Sequence, residues 1–253
     1  MKKTLLAVAL ASSLTSFGAV AADKAPEPSY TLSGNIGLVS DYRFRGVSQS
    51  QKKPALQAGL DLVLANGLSF GTWTSNVSQW ANLGGSQEVD LYGAYSKEIA
   101  GVSLSIGGIQ YWYPRNIAAP SNNTFEYFLS AAYGPVSYKV SQGNGDWFGV
   151  EADGATYHEL AASLGSLGLS EKYSFSIHIG KQTVKEAGSR IADDVGFTDY
   201  SAKVGYAISD DLSLSVTASR VKYSNKSNGE TQYSFDGKKL GGSAVVASIT
   251  KTF

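Results

Sequence analysis

The chain has no cysteine, and its one methionine is the first residue. The first absence excludes a disulfide scaffold and any thiolate metal site. Proline is scarce, at 6 of 253 residues. Hydrophobic residues make up 43% of the chain, yet no uninterrupted apolar run reaches the 18 or so residues that a membrane-crossing helix needs. Few segments carry a 3.6-residue apolar period, which argues against an α-rich fold. Basic and acidic residues balance at 21 each, so no excess of positive charge points to nucleic acid as a partner.

What is present is glycine (28 residues), tyrosine (15), and a persistent period of two. It is clearest from Tyr30 to Gly46. The even positions Tyr30, Leu32, Gly34, Ile36, Leu38, Tyr42 and Phe44 are apolar, small or aromatic, and the odd ones are mostly polar or small. Such alternation predicts an extended strand with one apolar and one polar face. Tyr30 and Tyr42 lie twelve residues apart on one face. At roughly 3.3 Å per residue and a tilt near 40°, that is about 30 Å, so the two rings could mark the two interfaces of a bilayer. A half-buried strand of a soluble sandwich would explain this one segment equally well.

The first 22 residues have a different character. Lys2 and Lys3 precede an apolar stretch from Thr4 to Leu14, and Ala19 to Ala22 offers small residues for cleavage before Asp23. This predicts a secretory signal peptide over 1–22 and a flexible lead over 23–29, with the folded unit spanning 30–253. Removing Lys2 and Lys3 leaves 19 basic against 21 acidic residues.

Beyond the opening strand the alternation recurs to the end. Leu56 to Leu64 returns from a polar loop, and Asn66-Gly67 supplies the positive φ of a tight hairpin. Strand three runs from Leu68 to Val77, its faces ambiguous because Trp73 and Phe70 fall on opposite sides. Further strands begin near Gln87, Val102 (with Gly107-Gly108 predicting a bulge), Thr124, Val136, Tyr157, Tyr173, Asp199, Leu212 and Ala244. That makes twelve. Even-numbered connections are short turns and odd-numbered ones are longer and polar. A soluble Greek-key sandwich gives no reason for that segregation. An up-and-down outer-membrane barrel does. Its polar face would carry too many charges to meet lipid or a dry core, so apolar-out and polar-in is the arrangement that satisfies both faces. Closure also removes sheet edges that lipid could not hydrogen-bond. The expected fold is therefore all-β, a transmembrane antiparallel barrel of about 12 strands with both termini periplasmic and residence in the cell outer membrane.

The residues Gly34-Asn35, Val39 to Gln49 (V-S-D-Y-R-F-R-G-V-S-Q), Pro54-Ala55-Leu56-Gln57, Gly71-Thr72-Trp73 with Ser75-Asn76-Val77, and Glu88 to Tyr92 resemble the TorF-type porin family of proteobacteria. The resemblance is densest over 30–95 and weaker to the C-terminal Thr-Lys-Thr-Phe. It implies an outer-membrane barrel with a pore-like role and brings no catalytic residues with it.

The candidate functional residues are those of the polar face: Asp41, Arg43, Arg45, Asp61, Asp90, Glu126, Lys139, Glu159, His178, Asp199, Lys203 and Arg220, expected to line a pore. Counting Glu88, Glu98 and Lys172, eight acids face six bases there. A lumen so lined would select solutes by charge, with a slight preference for cations. The competing reading is an interior ion-pair network that fills a narrow barrel, leaving a structural or recognition protein that acts through its external loops. A third reading takes Ser176 and His178, two residues apart on one face, as a hydrolytic pair. Its site would face the lumen rather than lipid, and no neighbouring motif supports it, so no enzymatic activity is expected. Asp146, Glu151 and Asp153 could gather a Ca²⁺ but match no EF-hand spacing, and are read as a solvated acidic loop. No metal or cofactor is expected. The C-terminal pattern Val245, Ala247, Ile249 and Phe253 resembles the assembly signal of bacterial barrels, with Lys251 interrupting it at the rim. The implied partners are outer-membrane lipids and lipopolysaccharide, small hydrophilic solutes and the barrel-assembly machinery.

Overall fold

The computed structural model describes residues 29–186 and 195–253. The expected signal peptide and most of the flexible lead lie outside the described residues. In chain order the elements are β1 (Tyr30–Val39), β2 (Arg43–Phe44), β3 (Val47–Ser48), β4 (Ala55–Leu64), β5 (Leu68–Asn76), β6 (Gln87–Ile99), β7 (Val102–Trp112) and β8 (Thr124–Tyr133). There follow β9 (Val136–Gly143), β10 (Ala152–Gly165), β11 (Tyr173–Glu186), β12 (Phe197–Ala207), β13 (Leu212–Tyr223), α1 (Lys226–Gln232), β14 (Ser234–Phe235), β15 (Lys238–Lys239) and β16 (Ser243–Thr252).

Twelve of these strands form one closed antiparallel barrel in the order β1-β16-β13-β12-β11-β10-β9-β8-β7-β6-β5-β4. Each strand pairs with its sequence neighbour in the wall, and β1 and β16 close the ring with Val39 opposite Ser248 and Asn35 opposite Thr252. The short β2–β3 and β14–β15 hairpins stand apart from the wall.

The alternation resolves as expected. Leu32, Leu56, Phe70, Leu91, Ile106 and Leu129 all point outward and are more than half exposed, an apolar surface of the kind that a membrane covers. Trp73 is paired opposite Gly59 and faces inward, 8% exposed, while Phe70 faces outward, which settles the ambiguity of the third strand. The Gly107-Gly108 pair makes no bulge, because β7 keeps continuous register with both neighbours. Gly107 instead makes room for its neighbour's ring, since a Cβ there would lie 2.3 Å from Phe128. The C-terminal ring has a seat of the same kind. Phe253 and Gly34 exchange two backbone hydrogen bonds, and a Cβ on Gly34 would collide with the Phe253 ring. Val245, Ala247 and Ile249 share that outward face. Lys251 ion-pairs with Asp211 in the neighbouring turn.

Two further sequence expectations fail, both in the opening segment. The opening strand ends at Val39 rather than Gly46. Arg45 (φ 48°) and Gly46 (φ 77°) both hold positive φ, the conformation a two-residue hairpin of primed type demands, so the chain turns back on itself as β2–β3. Tyr42 therefore does not mark a membrane interface. It is 7% exposed inside the barrel, because the chain bends inward after β1 and the parity of the strand no longer applies.

The long connections gather at one end of the barrel and the short ones at the other. At the long-loop end the interior is packed: one apolar cluster centres on Val47, Trp147, Phe197, Val221, Tyr233 and Leu240, another on Tyr42, Trp73, Ile109, Tyr111 and Tyr113. The connection after β13 supplies Leu240 and a short helix capped by the Asn225 side chain. Toward the turn end the inner wall is lined by partly accessible hydroxyls such as Ser69, Ser96, Ser130, Ser137, Ser176 and Ser201.

The inside–outside assignment makes a direct prediction. Leu60→Arg on the outward face should destabilise the barrel by about 2–4 kcal/mol, whereas Ser69→Arg, lumen-facing near the turns, should change stability by less than about 1 kcal/mol. Urea titration of the protein refolded into vesicles measures both, and equal tolerance would reverse the assignment.

A candidate functional site where the inner hairpin meets the barrel wall

The loop between β1 and β4 does not project outward. Its hairpin enters the barrel, and residues 47–51 are each less than 9% exposed. Three side-chain contacts hold its base. Asp41 accepts from the Ser48 hydroxyl at 2.5 Å and pairs with Arg43 at 2.8 Å, and Arg43 also donates to the Gly46 carbonyl at 2.7 Å. These bonds make the turn a rigid unit before it touches the wall.

At its tip sits Arg45. The guanidinium donates to both oxygens of Glu126 on β8, at 2.9 and 2.5 Å, and to the side-chain oxygen of Gln182 on β11 at 2.7 Å. Its face lies 4.1 Å from the Tyr157 ring centroid on β10 and 4.6 Å from that of Phe44, so cation–π attraction adds to the fork of charged hydrogen bonds. Burial alone would lower the pKa of Arg45. The Glu126 carboxylate outweighs that and raises it, so the guanidinium stays charged. Glu126 is 1% exposed and also accepts from the indole of Trp147 at 3.3 Å and, weakly, from Tyr111 at 3.4 Å. A second set lies beside the first. Tyr157 donates to Asp199 on β12 at 2.9 Å and lies 3.1 Å from His178 Nε2, which in turn is 3.5 Å from the other Asp199 oxygen.

The hairpin reaches the remaining wall through packing. Tyr42 packs against Trp73 of β5 with ring centroids 5.2 Å apart and planes tilted by 60°, and donates to Glu88 of β6 at 3.2 Å. Burial pushes the Tyr42 phenol well above its ordinary pKa, with Glu88 and Asp90 adding to the effect. A Cβ on Gly46 would lie 2.6 Å from Val221 of β13, so glycine allows the turn to press against that side. Ser48 donates its N–H to the Leu240 carbonyl, tying the hairpin to the loop after β13. The hairpin thus touches wall strands from β5 round to β13.

Of the residues expected on the polar face, Asp41, Arg43 and Arg45 belong to the hairpin. The register turns Asp61, Asp90, Glu126, Lys139, Glu159, His178, Asp199 and Lys203 inward from the wall. Lys139 and Glu159 face each other at 3.8 Å. Arg220 is a correction: it is paired opposite Tyr200 and Ser243 and points outward. Its even number already shares the parity of Leu212, Leu214 and Val216. Lys172 is a second correction, an exposed turn residue 6.0 Å from the outward ring of Tyr206. Four interior bases therefore oppose the eight acids.

The Glu88 and Asp90 carboxylates each keep one buried oxygen with no hydrogen-bond partner. Ser176 and His178 both face inward, but the imidazole turns to Tyr157 and Asp199, with no hydrogen bond to Ser176. Asp146 accepts from the Ala152 N–H at 3.4 Å. Among the described residues no group of three His, Asp or Glu side chains is placed to hold a metal ion. Sequence reasoning missed Gln182, Tyr157 and Trp147 as partners of the central arginine, since uncharged residues on a polar face give no signal.

A closed antiparallel barrel of twelve strands, apolar outside and polar within, is the architecture of a protein that crosses a membrane with its strands. The chain belongs to the Gcw_chp family, described as bacterial proteins of unknown function, whose model matches residues 23–253. No curated protein matches it. Among solved structures it is similar to the NanC porin, at 10% identity over 88% of this chain and 99% of that one, with a TM-score of 0.54. Others are the outer-membrane protein opdK of Pseudomonas aeruginosa (10% identity, 89% and 67% covered, TM-score 0.44) and LpxR of Salmonella typhimurium (8%, 87% and 99%, 0.45). The NanC likeness shows a shared fold.

The central pair can be tested directly. Arg45→Ala and Glu126→Ala should each destabilise the barrel by about 3–5 kcal/mol, because each strands a buried charge, while the double change to Met at both positions should recover most of the loss. Urea unfolding in vesicles reads all three, and additive losses would mean the two groups are not energetically coupled.

Proposed function

We propose that this protein is an outer-membrane channel of porin type, passing small hydrophilic solutes or ions by diffusion, with the β2–β3 hairpin as its constriction. The supporting observation is the division of the interior. The turn half is lined by partly accessible hydroxyls, while in the loop half the hairpin, held at its tip by Arg45, packs with residues of other connections such as Trp147, Tyr233 and Leu240. The TorF-type sequence resemblance points to the same class. In this reading the leader is removed at export and the long loops face outward with both termini periplasmic. The C-terminal Phe253 pattern addresses the assembly machinery, and the apolar wall meets lipid and lipopolysaccharide. With eight acids against four bases inside, the lumen favours cations.

The rival reading is a barrel permanently closed by its hairpin, acting through its loops. The packed clusters at the loop end favour it. Planar-bilayer recording separates the two. The wild type should show small, cation-preferring conductance, and Arg45→Ala, checked for folding by heat-modifiable mobility, should raise it severalfold by freeing the hairpin tip. Silence from both proteins would sink the channel reading and leave the closed barrel. Conductance with strong anion preference would keep the pore and overturn the role given to the interior acids.

A further inference from the structure

The outward face of the wall is charged very unevenly. On β1 and β4–β9 the outward positions carry a single ionisable charge, Lys97, near the turn end. On β10–β13 four cations rise above the apolar belt toward the long-loop end: Lys181, Lys185, Arg220 and Lys222, all exposed. The register places them in adjoining rows. Ile179, Tyr200 and Arg220 follow one another across three strands, and the next row up runs His158, Lys181, Thr198, Lys222. The row below is Ile177, Ala202, Ala218 and Val245, wholly apolar. Neighbouring strands are about 4.8 Å apart, so the Lys181 and Lys222 backbones lie on the order of 10 Å from each other. No described carboxylate lies within 4 Å of any of the four cations. Near the turn-end rim, Lys251 is paired with Asp211 and Lys172 lies near the Tyr206 ring, while Lys97 stands alone on the outward face of its strand.

Arg220, Lys181 and Lys222, one or two outward positions beyond the last wholly apolar row of a lipid-facing wall, sit at headgroup depth. Their long stems let the charges reach into that layer. Four cations with no described carboxylate beside them, within one quarter of the circumference and near the aromatic Tyr200 and Tyr138 (whose hydroxyl meets His158 Nδ1 at 2.7 Å), make a binding surface for closely spaced anionic groups. We propose that this patch binds the phosphorylated sugar headgroup of an outer-leaflet glycolipid, Arg220 and Lys222 from one strand and Lys181 from the strand beyond its neighbour clasping the phosphates while the acyl chains lie along the apolar rows beneath. The inference rests on the reading that the long loops face outward. It does not require the lumen to conduct.

The test uses the full mature barrel refolded in neutral detergent, with diphosphoryl lipid A, chemically dephosphorylated lipid A and inorganic phosphate as probes, and native mass spectrometry as the readout. Diphosphoryl lipid A should bind the wild type and bind Lys181→Ala/Arg220→Ala/Lys222→Ala at least tenfold more weakly, with heat-modifiable mobility showing both proteins folded. Lys97→Ala/Lys251→Ala, which removes charge from the turn end, should bind as the wild type does. Should the triple variant fail to fold, Lys181→Gln/Lys222→Gln replaces it, with a loss of severalfold expected. Unchanged binding in the variant, equal binding of dephosphorylated lipid A, or equal loss in the turn-end control would each overturn the proposal. Competition by inorganic phosphate at matched concentration would assign the patch to a free anion and overturn the lipid assignment. Because no current is measured, a barrel that binds lipid A and never conducts would fail the channel reading alone, and one that conducts without binding would fail this one alone.

Discussion

Closure of the sheet is the constraint on which everything else depends. In hydrocarbon an unpaired backbone N–H or C=O has no water to turn to, so a spanning sheet must leave no edge. Here β1 and β16 meet, and the last residue continues the ladder by exchanging hydrogen bonds with Gly34. Glycine at 34 is what lets the terminal ring lie flat against the wall. Once the ring is closed, the alternation of side chains leaves only one choice, which face meets lipid. The charges decide it.

Closure then creates an interior that has to be filled or wetted. The two halves of the barrel solve this differently. Near the turns the inward residues are mostly small and hydroxylated and leave room for water. Near the loops the barrel holds a genuine core, built largely from residues outside the wall strands: Val47, Trp147, Tyr233 and Leu240 come from loops or their small hairpins. A buried charge at the centre of such a core is tolerable only with its partner and hydrogen bonds in place. Arg45 has them in Glu126, Gln182 and two aromatic faces. The pair contributes position more than stability: it fixes a short hairpin from one side of the barrel to strands on the other.

The outer surface has its own asymmetry. The apolar belt is continuous, but cations rise above it on β10–β13 alone, so the barrel presents different faces to the surrounding lipid. Interior and exterior charge are thereby separated by sign, with acids dominating the lumen and bases the loop-end rim of the wall.

The period of two, the number of wall strands, the segregation of long and short connections and the apolar exterior are all legible in the residues taken one strand at a time. All of these follow from local alternation, which a strand converts into inside and outside without reference to any other residue. Asp61, Asp90, Glu126, Lys139, Glu159, Asp199 and Lys203 were legible as inward for that reason, and Arg220 would have been read correctly by the same parity. Long-range contacts take over where the strand stops. The run from Ser40 to Gly46 continues the alternating pattern, yet positive φ at Arg45 and Gly46 turns it into a hairpin, and its destination is set by a carboxylate 81 residues away in the chain. Periodicity carries no information about such a contact, because which side chains meet across a lumen depends on the curvature and closure of the whole sheet.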